Sequence, residues 1–161
     1  SLDQNEIFIP YCEKCDLIVP GSDIPSWFSN QDVGSSISID ASPLMQHDNE
    51  WIGLACCAIF VVRHEWGTDL VPRKTKEAFP IFFPVFLNKD LVAFESDHTW
   101  VFYFTRPQLN GSYVLPNINY VGDPKLDFEI INQRGFHFEV KKYGHRWVYE
   151  HDLELSNNND A

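Results

Sequence analysis

The sequence predicts an all-β fold, an antiparallel sandwich of two sheets. Period-two alternation of apolar and polar residues recurs along the chain, whereas the 3.6-residue periodicity of amphipathic helices is almost absent. Ten prolines and eight glycines punctuate the apolar runs, as is typical of strands joined by turns. Seven to nine short strands without a long helix favour a two-sheet sandwich over an α/β fold.

The first half of the chain contains two short strands and one long apolar run. Residues 16–20 and 36–40 have the composition of short strands. Residues 51–62 could form either a strand buried on both faces or a short buried helix. The β-branched and aromatic end of this run favours the strand, because such side chains fit a pleated surface. In that strand, Cys56 and Cys57 would point to opposite faces as small core residues.

The second half of the chain contains the clearest alternation. Residues 97–105 predict a strand that an Arg-Pro pair ends. Residues 126–131 and 136–142 alternate and are joined by a turn that contains glycine, and a third strand, 145–150, follows a Tyr-Gly pair. Because the links are short, we expect these three strands to pair as an antiparallel meander.

The inward positions of these alternations define the expected core. Trp27 and the neighbouring Phe28 would also anchor a connecting segment across the open end of the sandwich. The predicted core residues are Trp27, Ile37, Ile39, Leu54, Ile59, Trp100, Phe102, Phe104, Phe128, Phe138 and Val140.

Length and charge bound the kind of protein. The 161 residues fit one domain that is large enough to bury a core without a disulfide or metal. The net charge of −11 argues against nucleic acid and anionic membrane as partners, because phosphate contact needs a concentrated basic face. The longest apolar run is shorter than a membrane span, so we expect no membrane insertion. Four unevenly spread cysteines indicate a reducing compartment.

The sequence contains no pattern that predicts catalysis, a metal site or a cofactor site. Cys12 and Cys15 have the spacing of half a zinc site, but no second ligand pair follows, so two ordinary thiols are expected. No nucleophile elbow or glycine-rich phosphate loop occurs. The neighbours Asp97-His98 and His151-Asp152 would point to opposite faces of a strand, and each pair is expected to form a polar cap at a strand end.

One long stretch between predicted strands, 64–79, is the candidate site for binding a partner. It carries Trp66, Arg73, Lys74 and Lys76 in an otherwise acidic chain. Tryptophan and arginine are enriched at interface hot spots, and positive charge favours an acidic partner surface. The alternative is a solvated connector whose Trp66 packs on its own domain.

Four ordered stretches resemble one known family. They are Ile18 to Ile39, which contains Ile-Pro-Ser-Trp-Phe, then Trp51 to Phe60, Ser96 to Tyr103 and Val140 to Glu150. The chain resembles the C-terminal jelly-roll/immunoglobulin-like domain (C-JID, or post-LRR domain) of plant TIR-NBS-LRR immune receptors. The resemblance covers residues 16–154, which leaves 1–15 as a connection from the repeats and 155–161 as a polar tail.

The resemblance implies a jelly-roll/Ig-like β-sandwich that serves plant defence. It would work with the leucine-rich repeats to recognise a pathogen effector protein and so permit receptor activation, in the cytoplasm or in both nucleus and cytoplasm. The receptor's NAD-cleaving TIR domain is not in this chain, so we expect the isolated domain to be a monomer without enzymatic activity. Residues 41–50, 63–95 and 106–125 lie outside the four resembling stretches and do not identify the partner. A lectin-like carbohydrate-binding sandwich is the alternative, and saturable binding on a glycan array would favour it.

Overall fold

The computed structural model describes residues 15–46, 50–63, 79–82, 95–110, 118–119, 122–131 and 137–153, and these confirm the all-β sandwich. The strands are β1 (Cys15–Pro20), β2 (Asn30–Val33), β3 (Ile37–Asp40), β4 (Trp51–Arg63), β5 (Phe79–Phe82), β6 (His98–Thr105), β7 (Ile118–Asn119), β8 (Lys125–Ile131) and β9 (His137–Tyr149). A 3-10 helix (Ser42–Met45), helix α1 (Arg106–Leu109) and a helical turn at 150–153 are short additions at strand ends.

The larger sheet has five strands in the order β1-β6-β4-β9-β2, and every neighbouring pair is antiparallel. The 13-residue strands β4 and β9 form its centre. In the smaller sheet, β8 pairs with β3, β5 and β7. The β5–β8 pair is parallel, so this sheet departs in one pair from the antiparallel arrangement expected.

The five-stranded sheet is buried on both faces. Its inner face and the smaller sheet enclose the main core, which includes Trp51, Phe60, Trp100, Ile39 and Leu126. Its outer face carries a second cluster, which is covered by the segment between β1 and β2, residues 21–29. We call this segment the connector. The second cluster contains Ile24, Phe28, Ala55, Cys57, Ile59, Val101, Tyr103 and Val148.

Strand directions define two ends of the five-stranded sheet. The entry end is where β1 begins and β9 ends, beside Trp51 and Thr105. The far end is where β1 and β4 end and where β6 and β9 begin, around Pro20 and His98.

The prediction that residues 126–150 form a three-stranded antiparallel meander is wrong. Residues 137–149 form one continuous strand, β9, in which Gly144 is a central residue and not a turn. Strand β8 lies in the other sheet, where it pairs with β3. A short link between consecutive strands therefore crosses from one sheet to the other here. Strand β2 was not predicted, because all four of its residues are exposed and its sequence has no apolar alternation.

Most predicted core residues are buried, and the exceptions are aromatic. Ile37, Ile39, Leu54, Trp100, Phe102, Phe128 and Val140 belong to the main core, and Ile59 belongs to the second cluster. Phe104, Phe138 and Trp27 are only partly buried and pack against these clusters. The prediction that Trp27 and Phe28 anchor a segment across the open end is wrong in its location, because that segment lies on the outer face of the larger sheet.

Candidate interaction surface

The predicted binding residues Trp66, Arg73, Lys74 and Lys76 lie outside the described residues, so their assignment stays a prediction. The strands on either side of them are described. Strand β4 ends with Arg63 at the far end of the larger sheet, and β5 begins with Phe79 in the smaller sheet. The stretch therefore connects the two sheets.

The far end is held by polar contacts between strand ends. The Lys141 ammonium lies 2.6 Å from a carboxylate oxygen of Asp97, and both side chains are partly exposed. The ring Nδ1 of His98 lies 2.9 Å from the carbonyl oxygen of Ser96. The backbone N–H of Gly21 donates to the carbonyl oxygen of Asp97, and the Thr99 hydroxyl donates to the carbonyl oxygen of Gly21. Asp97 and His98 thus have separate partners, as expected of a polar cap and not of an acid–base pair.

On the outer face towards the entry end, Arg146 joins the connector to the end of β9. Its guanidinium stacks on the Trp27 ring at 4.6 Å and donates to the carbonyl oxygen of Trp27 at 3.2 Å. It also donates to a carboxylate oxygen of Asp152 at 2.9 Å. The planar guanidinium satisfies the carboxylate and covers the aromatic face at the same time. This arrangement holds a surface tryptophan in one orientation.

Asp152 caps the helical turn that follows β9. Its carboxylate accepts a hydrogen bond from the backbone N–H of Tyr149 at 2.8 Å, and only 7% of its side chain is exposed. An acidic side chain at this position satisfies a free N–H at the start of a helical turn. The His151 Nε2 atom is 3.8 Å from the same carboxylate, and 65% of its side chain is exposed. Asp152 alone therefore forms the cap, and the prediction that His151 and Asp152 point to opposite faces of a strand is wrong, because both lie in the helical turn.

A second arginine–tryptophan pair lies at the entry end. The Arg106 guanidinium lies 4.7 Å from the Trp51 ring centroid and donates to the Trp51 carbonyl oxygen at 2.9 Å. The Trp51 ring meets Trp147 edge-on at 5.2 Å. The entry end therefore combines buried aromatic rings with arginines, the residue types that are enriched at interface hot spots.

Polar groups also join the two sheets along one side of the sandwich. The Trp147 indole N–H donates to the carbonyl oxygen of Asp40 in β3 at 2.9 Å. Nearby, His145 is buried, and its Nδ1 atom has no hydrogen-bond partner. Burial lowers the pKa of His145, Lys125 adds to this, and Asp40 and Asp32 oppose it. His145 is therefore a neutral ring at neutral pH.

The buried thiols are not reactive groups. Cys56 faces the main core and Cys57 faces the second cluster, and each is 1% exposed. Burial raises the pKa of Cys57 to about 12, and burial together with the neighbouring thiol raises the pKa of Cys56. Protonated thiols of this kind are weak nucleophiles and weak metal ligands. Cys15 begins β1, whereas Cys12 is not among the described residues.

The described ranges contain no cluster of three or more His, Cys, Asp or Glu side chains that could hold a metal ion. Across the same ranges, no helix is long and apolar enough to cross a membrane. What these residues form is a two-sheet sandwich with aromatic and polar groups at both ends.

The family of the chain follows from its sequence match. The family model of the C-JID domain matches residues 19–154. The chain therefore belongs to the C-JID family, the post-LRR domain of plant TIR-NBS-LRR immune receptors. No curated protein and no solved structure matches it.

The four resembling stretches meet in the five-stranded sheet. The Trp-Phe pair of the first lies over Gly144 and Arg146 of the fourth, and β4 of the second pairs with β6 of the third. Sequence reasoning missed the contacts of Arg146 and the role of Gly144. The sequence did contain a signal. Gly144 and Arg146 lie on one face of an alternating strand at positions where apolar residues were expected.

Proposed function

We propose that this domain acts with the leucine-rich repeats of its receptor to recognise a pathogen effector protein in the plant cell. Membership of the C-JID family supports this role, because the family follows the repeats of immune receptors. The buried free thiols of Cys56 and Cys57 agree with a reducing cytoplasmic or nucleocytoplasmic location. The domain itself is non-catalytic in this proposal, and NAD cleavage belongs to the receptor's TIR domain.

The observation that carries the proposal is the course of the chain between β4 and β6. Strand β4 ends at the far end of the larger sheet, and β6 begins there. Residues 64–94 lie between these two points and outside the four resembling stretches, and β5 is the part of them that the structure describes. A long stretch held at both ends by a rigid frame is suited to contact a partner while the frame stays unchanged.

The charge of this stretch indicates the chemistry of its partner. Arg73, Lys74 and Lys76 are close neighbours in the sequence of a chain whose net charge is −11. Their ammonium and guanidinium groups would attract an acidic effector surface, and Trp66 would supply apolar contact area. The proposed contact residues are therefore Trp66, Arg73, Lys74 and Lys76.

The test replaces Arg73, Lys74 and Lys76 with Ala in the full-length receptor. We expect the effector-triggered response and co-precipitation of the effector to weaken. Thermal stability of the same variant of the 161-residue chain should change by no more than about 0.5 kcal/mol per site, as for ordinary surface positions.

A matched control replaces Lys14, Lys125 and Lys142 with Ala, because Lys125 and Lys142 lie on β8 and β9 of the frame and Lys14 precedes β1 in the sequence. This control removes the same charge and should leave effector recognition intact. If both triple variants respond like the unmodified receptor, the 64–79 stretch is a connector and this site assignment is wrong. If both lose recognition equally, overall charge and not this site is responsible.

A further inference from the structure

Strand β2 is an edge of the larger sheet, and among the described residues no strand lies on its outer side. The backbone N–H of Gly34, which follows β2, donates to the carbonyl oxygen of Lys141. Hydrogen bonding alternates along an antiparallel pair, so Asp32 bonds to β9, whereas the N–H and C=O groups of Gln31 and Val33 point away from β9. The edge therefore presents two donors and two acceptors to a further strand.

The nearby edge of the smaller sheet, β3, is closed by side chains of β9. In the register between β3 and β8, the carbonyl groups of Ser38 and Asp40 point away from β8. The Tyr143 hydroxyl donates to the Ser38 carbonyl oxygen at 3.4 Å. The Trp147 indole N–H donates to the Asp40 carbonyl oxygen at 2.9 Å. The outward acceptors of β3 are therefore already used, in contrast to those of β2.

The opposite edge of the larger sheet, β1, is blunted by a proline. The N–H of Gly21 donates to the carbonyl oxygen of Asp97, so Pro20 occupies a position whose backbone groups point outward. Proline has no N–H to donate, and proline on an edge strand hinders the addition of another strand. Strand β2 contains no proline, and its pairing with β9 runs without a register shift.

The side chains of β2 leave its outer edge accessible. Val33 is 89% exposed. The Gln31 side-chain amide donates to carbonyl oxygens of the connector, which holds this side chain on the outer face. Asp32 is exposed, and its carboxylate forms no hydrogen bond or ion pair within the described ranges. The edge thus combines backbone groups with one apolar side chain and one unpaired carboxylate.

The Asp32 carboxylate disfavours pairing of β2 with a second copy of the chain. The register that uses all four outward backbone groups pairs Gln31 with Val33 of the second copy. That register also places the two Asp32 carboxylates directly opposite each other, where like charges are destabilising. Charged residues of this kind prevent edge strands from pairing with their own copies. A strand with a positive charge at this position fits the edge instead.

We propose that β2 is the docking edge for an extended segment of a partner protein in which a lysine or arginine lies between two apolar residues. The segment adds as an antiparallel strand, like the other neighbours in this sheet. Its apolar residues bond to Gln31 and Val33 through the backbone, and its basic residue lies opposite Asp32. Backbone bonds supply affinity, while the charge pair selects the partner and rejects a second copy. This surface uses other residues than 64–79, so the inference does not depend on the proposed function.

Titration of the 161-residue chain with two synthetic peptides, followed by nuclear magnetic resonance, tests this docking. The peptides are Thr-Val-Lys-Val-Thr and Thr-Val-Glu-Val-Thr, each acetylated and amidated. The lysine peptide should shift the amide signals of Gln31 and Val33, slow their hydrogen exchange and bind about fivefold more tightly than the glutamate peptide. The exchange of the Asp32 amide, which is bonded to β9, should change little. Equal binding of the two peptides, or no shift at Gln31 and Val33 at millimolar peptide, would overturn the proposal.

A charge exchange separates this edge from the overall charge of the chain. Asp32→Lys should reverse the preference, so that the glutamate peptide binds about fivefold more tightly. Glu150→Lys makes the same change in net charge at an exposed residue that follows β9, and it should retain the preference for the lysine peptide. An unchanged preference in Asp32→Lys, or the same reversal in both variants, would mean that this edge does not select the peptide. Circular dichroism confirms that each variant is folded.

Discussion

Gly144 and His145 are neighbours in β9 that face opposite sides of the larger sheet. Gly144 faces the connector, and a Cβ atom there would lie 3.1 Å from the Asn30 carbonyl oxygen and 3.2 Å from the Phe28 Cβ atom. His145 faces the smaller sheet and is buried without a partner for Nδ1. One position requires the absence of a side chain, and the other requires a ring that remains uncharged.

We expect Gly144→Ala to lower the free energy of unfolding by about 1–3 kcal/mol, because the added methyl group pushes the connector away from a packed face. The midpoint of urea unfolding measures the change. Ser36→Ala, at an exposed position outside the strands, is the control and should have little effect. An unchanged midpoint for Gly144→Ala would mean that the connector shifts without cost.

Because His145 is buried, we expect the free energy of unfolding to decrease in mild acid. Because burial lowers its pKa in the folded chain, the unfolded chain binds a proton first as the pH falls below about 6.5. The free energy of unfolding should therefore decrease as the pH falls below about 6.5, and the decrease should stop once the pH is below the pKa of His145 in the folded chain. Urea unfolding at about pH 7.5 and about pH 5.5 measures this decrease, and His145→Gln should reduce it. The same decrease in both proteins would contradict the role of His145.

The connector behaves as an element of the fold although it contains no strand of its own. Phe28 is 1% exposed, and the Gln31 side-chain amide donates to the carbonyl oxygens of Phe28 and Pro25. The Trp27 ring is held by Arg146 and meets the Phe28 ring edge-on at 5.1 Å. The outer face of the larger sheet is thereby closed by 21–29.

Phe28→Ala should cost about 3–5 kcal/mol, the range for a fully buried aromatic residue. Phe138→Ala should cost less, because Phe138 is only partly buried, although its ring stacks on Phe60 at 4.7 Å. The sequence, which placed Phe138 in the core, predicted a cost of about 3–5 kcal/mol for Phe138→Ala. Chemical denaturation of both variants compares them directly, and a greater loss for Phe138→Ala would contradict the packing described.

Sequence patterns predicted strands better than they predicted strand partners. The alternation in β6 placed Trp100 and Phe102 in the core, and they lie there, whereas Val101 and Tyr103 belong to the cluster on the other face. Alternation reports which face of a strand is apolar, but it does not report which strand lies beside it. This is why β8 was assigned to β9 and not to β3.

Glycine caused the second error. The Tyr-Gly pair in β9 was interpreted as a turn, because glycine is common in turns. A glycine inside a strand can instead permit a close backbone approach, as Gly144 does for the connector. Only the position of the connector distinguishes the two roles, and that position is a tertiary property. The candidate loop at 64–79 likewise followed from composition, which contains no information about the partner's shape.

At the scale of the whole molecule, the two sheets are joined by polar bonds as well as by the core. The Trp147 indole N–H and the Tyr143 hydroxyl donate to carbonyl oxygens of β3, at 2.9 Å and 3.4 Å. The Asp40 carboxylate accepts hydrogen bonds from the Ser42 N–H and hydroxyl at 3.0 Å and 2.5 Å. Burial by itself raises the pKa of Asp40. The two hydrogen bonds from Ser42 and the charges of Lys125 and His145 outweigh burial, so the pKa is lowered overall. The sheets are therefore fixed in one relative position.

Trp147→Phe should lower the free energy of unfolding by about 1–3 kcal/mol, because the Asp40 carbonyl oxygen loses its donor in a buried site. Tyr143→Phe is the comparison, and its effect should be smaller because the bond it removes is long. Thermal unfolding followed by circular dichroism measures both. An equal loss in the two variants would mean that the shorter Trp147 hydrogen bond joins the sheets no more strongly than the longer Tyr143 bond.

The adjacent thiols of Cys56 and Cys57 lie on opposite faces of the larger sheet, so their reactivity reports partial opening of each face separately. Cys56 becomes accessible only when the two sheets separate, whereas Cys57 becomes accessible when the connector lifts from the outer face. Alkylation of each thiol in native conditions, read by mass spectrometry, would then give two opening free energies from consecutive residues. Faster alkylation of Cys57 would identify the connector as a separate unit of unfolding that opens while the sandwich stays closed.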